Sequence, residues 1–458
     1  MKKYANNLET LLNQSPYQAY SYTYPHKSAY RFLEPTQPLR EVWANEDRQA
    51  LFLYIHIPFC EMRCGFCNLF TLAKVGEDFY RQYVKTLSQQ AKQVSEFLGE
   101  YSFSRFAMGG GTPTYLDESS LMAMLDMTEK TMGIDIHNIP ASVEVSPETA
   151  TLSKLSLLAE RGVDRISIGI QSFIEVENRA IYRRQKMDTV IQVLDRIRHF
   201  GFPTLNIDLI YGIPGQNLAN WLYSLREVLR FQPQEIYLYP LYIRSLTGLE
   251  LHQQRHTPLY QSEEVTGFSS DNDIRLQLYW AGRDFLLENG YQQISMRLFQ
   301  SVHASNKNEP VYCCQEDGMV GLGSVARSYT NALHYSTEYA VSHASVKKII
   351  IDYCQRSAES FRVADYGIVL DENEQKRRYL IKSILRTEGL NLSAYRHRFN
   401  TDVLVDFPEI TELLRLGLNE CDEQKLTPTG KGLAYSDVIG FWLVSEFVKR
   451  RMENFLLR

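Results

Sequence analysis

The 458-residue sequence predicts an α/β protein, its parallel strands joined by helical crossovers, with a helical, winged-helix-like accessory domain at the carboxy end. Three observations predict it. Short β-branched or aromatic runs recur six times after residue 50. Segments with helical periodicity separate them. Gly, Pro and Cys gather just past the ends of these runs, where barrels and doubly wound sheets build their active sites. The length exceeds one ordinary core, and the expected division is an amino-terminal extension (1–48), a strand-and-helix unit with its extension (49–345) and an accessory domain (346–458).

Residues 1–48 are polar and Tyr-rich, densest in PYQAYSYTYPHKSAYR. They read as an irregular extension that either lids the next domain or packs on its surface. The opening stretch lacks an apolar core and a small-residue cleavage site, so it does not read as a signal peptide. The six strand runs are LFLYIHI (51–57), RFAMG (105–109), SVEV (142–145), RISIGI (165–170), LNIDLIYGI (205–213) and EIYLYPLYI (235–243). Helical segments between them include 77–98 and 220–231. This alternation fits either a barrel-like or an open sheet. Residues 244–345 are less regular, with one helix expected over 275–290. From about 372 the sequence reads as helices, with EQKLTPTGKGLAY as a short β-wing.

Hydrophobic residues make up 44% and charged residues 22%, the balance of a soluble globular protein. A net charge of −5 gives no basic field and argues against a nucleic-acid partner, and no run spans a bilayer. The expectation is a cytoplasmic chain. Of seven cysteines, Cys60, Cys64 and Cys67 fall within eight residues, which in a reducing compartment argues for metal or catalysis over disulfides.

Cys60-x3-Cys64-x2-Cys67 lacks the fourth protein ligand of a structural zinc site, since His56 lies on the strand and Asn68 is a poor ligand. A [4Fe-4S] cluster on three cysteines leaves one iron open. That iron can chelate the amino and carboxylate groups of S-adenosylmethionine (SAM), whose reductive cleavage gives methionine and a 5′-deoxyadenosyl radical. The alternatives are a zinc staple or a bare structural loop. Gly109–Gly110–Gly111–Thr112–Pro113–Thr114 lets backbone approach an amino-acid moiety closely, with a tight turn as the plain alternative. Glu144 and Asp208 are strand carboxylates among apolar neighbours, suited to an ammonium or to ribose hydroxyls, or else to structural ion pairs.

YIHIPFCEMRCGFCN, GGGTPT, VEVSPET, ISIGIQSF and DLIYGIPGQ together resemble the oxygen-independent coproporphyrinogen III oxidase group of radical SAM proteins. That group also includes heme chaperones, heme-degrading methyltransferases and cyclopropane-forming enzymes. The resemblance covers 51 to about 243, and LTPTGKGLAYSDVIGFWL resembles the group's accessory domain. It implies a partial (β/α)6 barrel holding a [4Fe-4S] cluster and SAM. It further implies that Tyr54 contacts SAM or orients the cluster, that Phe66 lies beside the adenine, and that Gly110, Gly111 and Thr112 hold the methionine amino end. Glu144, Gln171, Arg183 (with Arg184 as the neighbouring choice) and Asp208 complete the pocket. A flavodoxin or ferredoxin type electron donor and a monomeric state are expected with it.

Three departures bear on the substrate. The oxidase has a further cysteine where this chain has Leu69. NEPVYCC lacks the His and Trp of the chaperones' heme motif. GLGSVARS carries Arg327 where a His is usual. The functions in competition are therefore an enzyme acting on an organic substrate such as a tetrapyrrole, a radical methyltransferase or cyclopropanase, a heme carrier, and a zinc-stapled interaction protein. Tyr237, Tyr239, Tyr242 and Arg244 either face an anionic aromatic substrate or fill the barrel mouth. Cys313 and Cys314 serve a redox or methyl-accepting role or are small buried hydrophobes.

Overall fold

The computed structural model describes residues 7–17, 23–255, 273–304 and 318–457. Cys313 and Cys314 lie outside them. Thirteen strands form one sheet. In chain order they are β1 (Arg31–Pro38), β2 (Leu51–Ile57), β3 (Phe103–Gly110), β4 (Ala141–Val145), β5 (Arg165–Gln171), β6 (Thr204–Tyr211), β7 (Glu235–Pro240), β8 (Tyr291–Gln293), β9 (Leu298–Ser301), β10 (Met319–Leu322), β11 (Ser328–Tyr329), β12 (Leu333–Tyr335) and β13 (Val363–Val369). Across the sheet the order is β1-β13-β12-β11-β10-β2-β3-β4-β5-β6-β7-β9-β8. β2 to β7 run parallel in sequence order, which is the six-stranded partial barrel that the motifs imply.

The crossover helices bury one stripe each. Glu77–Leu98 turns Tyr80, Tyr83, Val84, Leu87, Ala91, Val94 and Phe97 inward, at spacings of three and four. The helix expected over 220–231 is Leu218–Leu229, and that expected over 275–290 is Ile274–Glu288. The strands between them are buried on both faces, as parallel strands covered by helices must be.

The flanks of the sheet differ from the sequence reading. The amino-terminal stretch is not irregular throughout: β1 pairs antiparallel with β13 at one edge. Its two prolines are tolerated because an edge strand need not donate on both sides. β10 adds a seventh parallel strand beside β2. Leu8, Leu11, Tyr24, Ala29 and Tyr30 enter the core built by Tyr366, Leu380, Tyr395, Ile410 and Val438, so the two ends of the chain share one hydrophobic cluster. The wing is a hairpin of Asn419–Cys421 and Lys425–Pro428, with Leu390–Asn391 on its other side. The last helical run breaks into Ser436–Trp442 and Glu446–Glu453, because the Ser445 hydroxyl caps the second by accepting from the Val448 amide at 3.2 Å.

Candidate active site

Side chains two apart on a strand share a face, and one face of the barrel gathers nearly all the polar ones. β2 contributes Tyr54 and His56, β4 Ser142 and Glu144, β5 Arg165 and Ser167, β6 Asn206 and Asp208, and β7 Tyr237 and Tyr239. Strand register sets Ser142 against Arg165, Ser167 against Asn206, and Asp208 against Tyr237. The Arg165 guanidinium donates to Glu235 at 2.7 and 2.9 Å and to the Ser142 hydroxyl at 2.9 Å. Asn206 Nδ2 donates to Asp208 and to the Ser167 hydroxyl, both at 2.8 Å.

Two carboxylates stand on this floor. Burial pushes the Asp208 carboxyl up to about 7; the Asn206 amide opposes the shift and the Glu144 charge adds to it. Glu144 opens into the cavity yet lies deep in the barrel, and desolvation raises its pKa against the hydrogen bond from the Gly110 amide and the charge of Arg165. Its Oε2 accepts that amide proton at 3.0 Å. Both acids sit where a cationic or hydroxyl-bearing ligand would relieve the burial of their charge.

The cysteine loop leaves β2 and is clamped on several sides. Phe59–Cys60 pairs with Leu72–Ala73. The Gly65 amide donates to Ile181 O, and the Leu249 amide to Gly65 O, each at 2.8 Å. A Cβ at Gly65 would stand 2.4 Å from the Tyr182 ring, so only glycine allows that approach. Thr112 Oγ1 lies 3.6 Å from Cys60 Sγ, Arg183 Nη1 donates to Cys64 Sγ at 3.3 Å, and Thr71 Oγ1 is 3.7 Å from Cys67 Sγ. Burial raises the thiols of Cys60 and Cys64, so forming their thiolates calls for compensation by a metal group.

Three thiols with hydroxyl and guanidinium donors against their sulfurs suit a [4Fe-4S] cluster with one open iron. His56 is not a fourth ligand: Nδ1 is 3.3 Å from the Tyr54 hydroxyl and Nε2 is 3.3 Å from Phe70 O. This Tyr54–His56–Phe70 chain ties strand to loop. Among the described residues, no three His, Cys, Asp or Glu side chains converge on a single-ion site.

The glycine run also has a local packing role. The amides of Gly110, Gly111 and Thr112 are engaged by Glu144, Ile57 O (2.7 Å) and Phe59 O (2.7 Å). What they offer an ammonium group is therefore carbonyl and hydroxyl oxygen. A Cβ at Gly109 would meet the Glu144 carboxyl at 2.7 Å, and one at Gly110, where φ is +109°, the His56 ring at 2.3 Å. The glycines make room for these two side chains.

The remaining expected residues fall around the same place. Phe66 lines the cavity and packs with Ile181, Ile210 and Leu249. Gln171 lines it at a register shift between β5 and β6, with φ +69°. Arg183, rather than the exposed Arg184, reaches the loop, held by Gln185 Oε1 at 2.7 Å and by Gly169 O.

Facing this floor, a second wall closes a cavity of about 1290 Å³. The sequence reading did not assign it. It contains Lys27 from the amino end, Arg297 and Arg327 from the loops, and Arg378, Lys382 and Arg386 from the carboxy end. The last three are four apart, a helical spacing that could have signalled one face. Tyr237 and Tyr239 stack at 5.7 Å and 14°. Tyr242 donates to Asp437, which also accepts from Arg297 Nη2 at 2.7 Å. This buried junction fastens the accessory part to the end of β7. In all, ten Lys and Arg line the cavity against four Asp and Glu, so its interior favours anions.

Residues 54–228 match the radical SAM superfamily, so the chain carries a radical SAM domain and is a radical SAM enzyme, with a [4Fe-4S] cluster and SAM as cofactors. The oxygen-independent coproporphyrinogen III oxidase of Escherichia coli (strain K12) is 25% identical over 439 residues, 91% of each chain. Heme chaperone HemW of Bacillus subtilis (strain 168) is 24% identical over 395 residues, 85% of this chain and 98% of its own. The solved structure of the E. coli oxidase superposes with a TM-score of 0.76 at 23% identity, covering 93% of this chain and 97% of that one; at this identity it shows the fold.

Proposed function

We propose that this protein generates a carbon-centred radical from SAM and directs it at a polycarboxylated tetrapyrrole or a closely similar polyanion. The observation that carries the reading is the cavity itself: aromatic at Tyr237 and Tyr239, ten cations to four acids, and open to Cys67 at one end. A macrocycle with several carboxylates matches such a volume and charge. The similarity to coproporphyrinogen III oxidases and to a heme chaperone supports the same substrate class.

A cluster held by Cys60, Cys64 and Cys67 would supply the one-electron reduction that splits SAM for hydrogen abstraction from a substrate C–H bond. The chain's own residues prepare this. Cys60, Cys64 and Cys67 hold the cluster, and Arg183 donates to the Cys64 sulfur. Glu144 and Asp208 accept the polar groups of the adenosyl moiety, with the Gly110 amide and Asn206 holding their carboxylates in place. Tyr54 acts through His56, which sets the loop against β2. The electron comes from a flavodoxin or ferredoxin type donor, and the protein works as a cytoplasmic monomer. Among the described residues no helix is long and apolar enough to cross a membrane.

Anaerobic reconstitution with iron and sulfide, then incubation with SAM and dithionite, tests the reading by mass spectrometry. Deoxyadenosine and methionine are expected, with faster formation on adding coproporphyrinogen III. An intact cluster that binds SAM yet gives no deoxyadenosine under either condition contradicts it, and a Soret band on heme titration would then favour a carrier.

A further inference from the structure

We propose that Lys27, Arg244 and Arg327 form an anion subsite beside the cysteine loop that holds one carboxylate of the substrate. The amino-terminal segment would thereby take part in choosing what the radical meets. The proposal deepens the reading of a polycarboxylate substrate and rests on it.

Lys27 is delivered by a single 3-10 turn, Lys27–Ala29, whose start is capped by the His26 ring accepting from the Ser28 amide at 3.3 Å. The turn is fastened from outside. Arg31 Nη1 donates to Ser28 O at 2.8 Å and to Tyr30 O at 2.7 Å, and its Nη2 to Arg451 O. Arg451 Nε returns a hydrogen bond to Ala29 O at 2.9 Å. Ala29 and Tyr30 are both 0% exposed, so the turn is part of the core and not a loose arm. The Lys27 side chain is the element that leaves this core for the cavity.

Its ammonium sits 3.6 Å over the Tyr339 ring, and the Tyr339 hydroxyl donates to Asn68 O, one residue past Cys67. The charge is therefore at the cluster end of the cavity. Arg327 Nη1 reaches back to Thr23 Oγ1 on the same segment at 3.4 Å, and Arg244 lies 4.5 Å over the Tyr242 ring. All three line the cavity. Among the described residues no carboxylate forms an ion pair with Lys27.

Burial pushes the Lys27 ammonium down to about 7, and the charges of Arg327 and Arg244 push the same way, against the opposing charge of the Cys67 sulfur. Like charges gathered away from water are stabilised by a bound anion. A carboxylate fits because two guanidinium forks and an ammonium supply charge-assisted N–H donors to one cavity. Two carboxylates could reach this end of the cavity: one on the substrate and the methionine carboxylate of SAM. The proposal assigns the subsite to the substrate.

The test uses full-length protein reconstituted anaerobically, with coproporphyrin III and its tetramethyl ester as fluorescence probes and equilibrium dialysis for SAM. Lys27→Met and Arg327→Gln are each expected to weaken coproporphyrin III binding about tenfold or more, the loss expected for a charge-assisted contact. Ester and SAM binding should match the unsubstituted protein, and Arg327→Lys should recover much of the loss. Unchanged coproporphyrin III binding in Lys27→Met overturns the subsite while leaving the tetrapyrrole reading intact. A loss of SAM binding in its place overturns it in favour of the methionine carboxylate. Should the unsubstituted protein bind no porphyrin, acetylation of Lys27 by acetic anhydride with and without citrate decides. Protection by citrate that Arg327→Gln abolishes keeps the subsite and removes the tetrapyrrole; no protection overturns both.

Discussion

The two walls of the cavity are built differently. The floor comes from β2 to β7 and the cysteine loop, one continuous stretch in which strand ends supply thiols and carboxylates. The opposite wall is assembled from residues far apart in the chain, Lys27, Arg297, Arg327 and Arg378 among them, and it is cationic. One wall is suited to cluster and SAM chemistry, which is shared across many substrates; the other is suited to recognition. Their separation implies that substitutions in one should leave the other's property intact.

The largest effect should come from the floor. Replacing Cys60, Cys64 and Cys67 together by Ala should abolish iron and sulfide incorporation, whereas Lys382→Met and Arg378→Met should incorporate both fully. Metal analysis after anaerobic reconstitution separates the two, and a cluster retained in the triple variant would break the comparison at its root.

Next in size is a packing effect. Gly110→Ala places a Cβ at φ +109°, 2.3 Å from the His56 ring, for a loss of roughly 2–4 kcal/mol from backbone strain and overpacking together. Thermal melts should show the drop, and His56→Ala in the same chain should recover part of it by removing the clash. No recovery would mean that backbone strain alone accounts for the loss.

On the opposite wall, Lys382→Met combined with Arg378→Met should weaken coproporphyrin III binding at least tenfold without altering SAM affinity. Equal losses for both ligands would show that the walls are not separable.

The smallest effect is a pH dependence in the floor. Asp208 holds its proton more tightly folded (pKa about 7) than unfolded (3.8), so the native state binds the extra proton between those values. Its contribution therefore favours the fold at low pH and is lost as pH rises through that window. Asp208→Asn removes the dependence: its melting temperature minus that of the unsubstituted protein should grow from pH 4 to 7 and then level off. A flat difference would mean that the carboxyl is not raised.

The same contrast explains what could be read from the sequence. β2 to β7 were legible because each motif lies within one turn of a strand end, and alternation places Glu144 and Asp208 on the same face as Tyr54. Arg183 came with the family resemblance, although its hold on Cys64 did not. β1 was missed because RFLEPTQP is polar and twice interrupted by Pro, and its pairing with β13 spans more than three hundred residues. β10 was missed because MVGL is short and gains its order from β2. Lys27 sat in a segment singled out for its pattern, yet nothing local shows that Arg31 and Arg451 bolt that segment beside the cysteine loop. Local rules reach a site made of neighbouring strands, and they fail where tertiary contacts bring distant cations together.

The most direct test of the account follows deuterium from a side-chain-deuterated coproporphyrinogen III into deoxyadenosine, with the tetramethyl ester of the same compound as the control. The account predicts deuterated deoxyadenosine from the acid and little from the ester, since the floor makes the radical and the cationic wall positions the carboxylates. Equal deuterium from both, or deoxyadenosine without deuterium from either, would contradict it.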